Sequence, residues 1–198
     1  YPLEMDYLDI RPLPDSTWHR FDHFIRETEK DPNFSIPEDF LKKPLGKLVY
    51  LSEGSMGCAD EVLMKRLIDI LAKSPNRFII SLGPLADKLK PLLAPNMFGE
   101  RFLPQTNILQ RADVCLVISH GGNNTVIGGC RRFVWSNLMT VYFLQVIEAL
   151  YYGKPLLITP LYGDQRDNAQ RVLECGFGDR ISPYTCEPEE MLSKIDRL

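Results

Sequence analysis

The chain has 198 residues, 44% hydrophobic and 25% charged, with a formal net charge of −3; that suffices for one globular domain with a substantial core plus an arm. The negative balance gives nucleic-acid binding no electrostatic support, and no apolar run reaches the length of a membrane span. Five cysteines lie scattered without a CxxC pair, which argues for reduced, mostly packed thiols rather than a disulfide framework or a metal site.

Residues 1–46 are proline-rich and read as an arm. Asp15 or Ser16 is a candidate N-cap for one helix that places Trp18, Phe21, Phe24 and Ile25 on one face. KKPLGK, residues 42–47, is the turn that closes the arm. From there the pattern alternates. LVYLS (48–52) predicts a short apolar strand, and DEVLMKRLIDILAK (60–73) an amphipathic helix with Val62, Leu63, Leu67, Ile70 and Leu71 inward. RFIISL (77–82) predicts a strand, ADKLKPLL a short helix broken by Pro91, and GERFLP another brief strand. VCLVIS (114–119) is a strand apolar on both faces, followed by PLLITP (155–160) as the next strand. DQRDNAQRVLECG (164–176) predicts a helix stopped by Gly176, GDRIS a last strand, and EPEEMLSKIDRL a last helix that looks cut short. With Tyr rather than Met at its start, the chain is expected to be a fragment of a longer polypeptide.

Strands separated by helical segments imply βαβ units. The expected fold is α/β, a Rossmann-like doubly wound parallel sheet over residues 47–198, with helices on both faces. Such sheets bind ligands beyond the carboxyl ends of their strands. Those ends read SEGSMG, FLPQ, SHGGNNT and TPLYGDQ, all polar, small or glycine-bearing. In HGGNNT, two glycines let backbone amides approach a ligand, the Asn-Asn-Thr run can cap a helix start that attracts phosphate, and His120 adds a donor. A tight capped turn with a packed histidine explains the same residues. SEGS supplies Gly54 with the hydroxyls of Ser52 and Ser55, while Glu53, beside an anion, is expected to point away. Asp164 and Gln165 offer acceptor and donor side by side, which suits sugar hydroxyls; an Asp N-cap with a solvated Gln is the plainer account. Phe102 and Gln105 of FLPQ can stack on and hydrogen-bond a base, although an aromatic there is more often core.

In combination and in this order, FLPQ…ILQRADVCLVISHGGNNT…EALYYGKPLLITPLYGDQRDNAQRV closely resembles the UDP-glucuronosyl/UDP-glucosyltransferase family. The resemblance runs from Leu48 to the end of the chain and covers that family's donor-binding half, the C-terminal domain of the GT-B fold; residues 1–46 resemble its interdomain connection. It implies that Phe102 stacks on uracil, Gln105 contacts the nucleoside and Glu148 binds the ribose hydroxyls. It further implies that Ser55, His120, Gly122, Asn124 and Thr125 hold the diphosphate, and that Asp164 and Gln165 contact the transferred sugar. The implied reaction moves a hexose from a UDP-sugar to an acceptor hydroxyl with inversion, without metal or cofactor. UDP-glucose, UDP-glucuronate and UDP-galactose all remain as donors. The family's catalytic base and its pocket for a small lipophilic acceptor belong to an N-terminal domain; His19 and His23 in the arm do not match that base. This chain alone is therefore expected to bind donor weakly and transfer nothing. A non-catalytic UDP-sugar-binding module, or a nucleotide-sugar epimerase or cell-wall glycosyltransferase of the same fold, is the alternative. The implied location is cytoplasmic, or the endoplasmic reticulum membrane if the whole polypeptide carries a signal peptide and an anchor.

One segment departs from the family. Val126-Ile127 recurs as Val146-Ile147, an offset of 20 residues, and removing residues 128–147 closes the family pattern without a gap. The segment reads as a translated intron or a true insertion. Its Gly128-Gly129 would break a helix, so a chain lacking residues 128–147 is expected to melt higher and to bind UDP more tightly.

Overall fold

The computed structural model describes residues 31–43, 46–122 and 145–198. The helix expected in the arm, Asn124, Thr125 and nearly all of the 128–147 segment lie outside the described residues. After a short helix α1 (Glu38–Leu41), six strands alternate with helices: β1 (Leu48–Ser52), α2 (Gly54–Gly57), α3 (Glu61–Leu71), β2 (Arg77–Ser81), α4 (Ala86–Leu89), β3 (Met97–Glu100), α5 (Gln105–Leu109), β4 (Val114–Ser119), α6 (Gln145–Tyr151), β5 (Leu156–Ile158), α7 (Gln165–Glu174), β6 (Gly178–Arg180) and α8 (Pro188–Arg197). All strands are parallel, in the order β3-β2-β1-β4-β5-β6. This is the Rossmann-like doubly wound α/β sheet expected from the alternation.

Both faces of the sheet are covered, so its central strands are apolar throughout. Val49 and Leu51 of β1, Phe78 and Ile80 of β2 and Leu116 and Ile118 of β4 pack on one side against α3, α4 and α8. Leu48, Tyr50, Ile79 and Val117 face the other side, against α1, α5, α6 and α7. The alternation follows from the two-residue period of a strand.

α3 starts where Asp60 caps it: its carboxylate accepts from the Leu63 N–H at 3.0 Å. The buried stripe of α3 is Leu63, Met64, Leu67, Ile68, Ile70 and Leu71. Val62, expected inward, is 73% exposed, because it shares its face with Lys65, Arg66 and Asp69, the solvent side of the helix. β3 also lies earlier than GERFLP, over Met97–Glu100, since β2 offers its ladder from Phe78 to Ser81 and that ladder pairs Met97 to Glu100. Pro91 ends α4, as expected, and the chain continues as a 3-10 turn over Lys90–Leu92. α8 is anchored by buried Met191 and Ile195 and by Lys47, whose Nζ donates to the last-turn carbonyls of Ile195 at 3.3 Å and Asp196 at 2.7 Å. Cys58 and Cys186 are buried free thiols, whereas Cys115 and Cys175 are free and exposed.

Candidate functional site

Because every strand runs the same way, the loops after β1, β3, β4 and β5 open on a single rim. β1 and β4 are neighbours at the point where the strand order reverses, paired as far as Ser52 and Ser119. The crevice beyond such a reversal is the ligand-binding place of an open α/β sheet. SEGS and HGG therefore face each other across it.

His120 is the hinge pin of this crevice. It is 2% exposed, and its ring occupies the space between two glycine backbones. A Cβ on Gly54 would lie 2.7 Å from His120 Cε1, and a Cβ on Gly122 would land on Nε2. Gly54 in addition has φ +67°, a conformation that favours glycine. The glycines of both motifs thus serve, first of all, to let two loops close on an imidazole. Gly121, at φ +80°, donates its N–H to Ser119 Oγ at 3.2 Å, and its carbonyl accepts from Asn168 Nδ2 of α7 at 2.9 Å. Ser55 is half-buried in the first turn of α2.

Two of the three nucleoside residues expected from the sequence, Gln105 and Glu148, come together. Gln105, the first residue of α5, and Glu148 of α6 are both buried, and Gln105 Nε2 donates to Glu148 Oε2. α5 and α6 pack on each other, which brings residues 43 positions apart into contact. Phe102 stands in the loop between β3 and α5 and is 53% exposed. Asp164 is exposed at the N-cap position of α7, yet its carboxylate caps no backbone N–H; it meets Asn168 Nδ2 at 3.5 Å. Gln165 is buried rather than solvated. Its Oε1 accepts from the backbone N–H groups of Leu161 at 2.7 Å and Tyr162 at 3.0 Å, so its oxygen shapes the loop after β5.

Three residues here had no role in the sequence reading. Asn168 ties α7 to the HGG turn; its place four residues after Asp164 was the available signal. Glu53, expected to point away from an anion, is wholly buried, and its Oε1 accepts from Thr159 Oγ1 at 2.7 Å. Burial pushes its carboxyl from 4.5 up to about 8, against the downward pull of that hydrogen bond. Nearer the surface, Tyr162 Oη donates to Met56 Sδ at 3.0 Å, so two side-chain contacts join the loops after β1 and β5. Further along the rim, a cavity of about 380 Å³ is lined by Pro160, Arg166, Arg180, Ile181, Ser182 and Glu190; none of the expected site residues lines it. Among the described residues no group of three or more His, Cys, Asp or Glu could hold a metal ion, and no helix is long and apolar enough to cross a membrane.

Residues 143–196 match the family model described as UDP-glucoronosyl and UDP-glucosyl transferase. UDP-glycosyltransferase UGT5 of Dactylopius coccus is 26% identical over 164 residues, 81% of this chain and 27% of the relative. Among solved structures, the glycotransferase of kitacinnamycin aligns with a TM-score of 0.63 at 21% identity, over 89% of this chain and 38% of its own. Os79 of O. sativa, solved in complex with UDP, aligns with a TM-score of 0.57 at 21% identity, over 82% of this chain and 34% of its own. At such identities the two structures show a shared fold. The chain spans about a third of the length of the curated relatives it matches. Over residues 143–196 the chain is similar in sequence to the UDP-glucuronosyl and UDP-glucosyl transferase family, and its fold is shared with glycosyltransferases of known structure.

Proposed function

We propose that this chain is the donor-binding half of a UDP-glycosyltransferase that moves a hexose from a UDP-sugar to an acceptor hydroxyl with inversion. The observation that carries this reading is His120, held between Gly54 and Gly122 where the strand order reverses. As the glycosidic bond breaks, negative charge grows on the departing diphosphate. Preoriented N–H donors at that position offset it, and they need no rearrangement at the moment of reaction. In this reading the Gly122 amide, the Ser55 hydroxyl and His120 face the diphosphate, and Asn124 and Thr125 are assigned to it by the family resemblance alone. Glu148 accepts from the ribose hydroxyls while Gln105, already bonded to it, contacts the nucleoside. Phe102, exposed at the mouth, stacks on uracil. Asp164 accepts from the sugar hydroxyls, and Gln165 presents its amide nitrogen to them because its oxygen is engaged by the loop. The acceptor and the base that deprotonates it come from the part of the protein that this chain does not span.

Titration calorimetry tests the reading with UDP, UMP and pyrophosphate as separate ligands. UDP is expected to bind more tightly than either fragment. His120→Ala should weaken UDP by about 10- to 100-fold, the worth of one hydrogen bond to a charged group. It should leave UMP less affected, while Glu148→Ala should weaken UMP and spare pyrophosphate. Absence of heat with every uridine nucleotide would overturn the proposal.

A further inference from the structure

A buried carboxyl at an anion site calls for an explanation. Glu53 stands between Ser52 and Gly54, at the start of the loop that closes on His120. Its backbone belongs to the end of β1, but its side chain reaches Thr159 at the end of β5. β4 lies between those two strands, so the contact crosses the end of β4, where the HGG turn begins. Thr159 is itself fixed, fully buried and with its N–H donating to Ser119 O at 2.8 Å. The stem of the side chain is packed as well: a Cβ on Gly57 would lie 2.7 Å from Glu53 Cβ. Glu53 Oε2 has no hydrogen-bond partner among the described residues.

We propose that Glu53 is a positioning residue of the donor site, whose carboxyl bolts the loop after β1 to the end of β5 through Thr159. The proposal rests on the donor-site reading above, because the two loops it joins carry Ser55 on one side and Asp164 and Gln165 on the other. The bolt works while the carboxyl is neutral. A buried carboxylate with one hydrogen bond is poorly compensated, and its charge would oppose a diphosphate held by the same loop. The groups around Glu53 do not relieve that charge. Cys58, just after α2, has its thiol pushed up to about 12 by burial and stays a neutral thiol. Tyr184, before α8, donates to Asp60 Oδ2 and is pushed up to about 12 by that bond. β5 contributes the neutral Thr159. Among the described residues, no Lys or Arg is seen to pair with the Glu53 carboxyl, and the ring packed against Gly54 is that of His120.

UDP affinity of the full chain, measured by calorimetry from pH 7 to 9.5, tests the assignment. The terminal phosphate of UDP, with a pKa of about 6, is fully ionised across that range. Affinity is expected to hold to about pH 8, where Glu53 ionises, and then to fall about tenfold per pH unit, since only the protonated chain binds well. Glu53→Gln keeps the acceptor for Thr159 and cannot ionise; it should match the parent chain at pH 7 within about twofold and stay flat to pH 9.5. Thr159→Val removes the bond that lowers the Glu53 carboxyl, so its break should move to higher pH. Parallel decline of parent and Glu53→Gln, or a break that Thr159→Val leaves in place, would overturn the assignment. If neither the parent nor Glu53→Gln binds UDP at any pH, the donor-site reading falls, and this inference with it.

Discussion

The contact of Gly54 with His120 lends itself to a quantitative test. In Gly54→Ala the new Cβ would sit 2.7 Å from His120 Cε1 and 2.9 Å from Nε2, on a backbone at φ +67°. The backbone conformation costs an alanine about 1–2 kcal/mol. Forcing the ring aside in a packed site adds about 1–3 kcal/mol, for a total of roughly 2–5 kcal/mol. The two contributions separate in a double-mutant cycle with His120→Ala. Without the imidazole only the backbone cost remains, so Gly54→Ala should cost about 1–2 kcal/mol there, a coupling of about 1–3 kcal/mol. Urea denaturation of the four chains, followed by far-UV circular dichroism, measures each value from the midpoint and slope. Gly122→Ala should show the same coupling to His120 without the backbone cost, as its Cβ would land on His120 Nε2 from a backbone that is not at positive φ. Additivity of Gly54→Ala and His120→Ala within about 0.5 kcal/mol would refute the claim that these glycines are there to seat the histidine.

Asp60→Ala removes the N-cap of α3 and the acceptor for Tyr184, and should lower stability by about 1–2 kcal/mol in urea titration. Asn168→Ala leaves the Gly121 carbonyl without its donor; a loss of about 1–3 kcal/mol in stability is expected, together with weaker UDP binding in calorimetry as the HGG turn loosens. Glu53 predicts an unusual pH dependence. Its native carboxyl is raised from 4.5 to about 8, so the folded chain keeps a proton that the unfolded chain releases between those values. Stability relative to Glu53→Gln should therefore be unaffected below about pH 4.5 and fall by about 1.4 kcal/mol per pH unit above it, to roughly 3 kcal/mol by pH 7. The difference should level off above about pH 8. Urea midpoints of the two chains from pH 5 to 9 measure it, and a constant difference would contradict a buried neutral acid.

Local pattern made much of the fold legible. β1 and β4 match LVYLS and VCLVIS residue for residue, since short apolar runs bounded by polar turns leave few other places for a strand to begin and end. The rim of ligand loops was legible for the same reason, because parallel strands put all their carboxyl ends on one side. The resemblance to a known family assigned Gln105 and Glu148 to one nucleoside, but their bond to each other, between residues 43 positions apart, is contained in no local pattern. Where reading failed, the deciding contact was distant. β3 was placed too late because its ends follow β2, not its own residues. Val62 was misplaced because an apolar residue in a first helical turn has the same composition whether it faces the core or solvent, and only the packing of α3 on the sheet distinguishes them.

The sequence by itself determined the α/β class, the strand and helix succession and the four polar strand ends, because hydrophobic period and glycine placement act over a few residues. Only the tertiary structure decided that Gly54 and Gly122 enclose one histidine, and that Glu53 is buried against Thr159, 106 residues away. Both depend on the order β1-β4-β5. Strand order is a choice of hydrogen-bond partners far apart in the chain, made by the burial of the whole sheet rather than by any one segment.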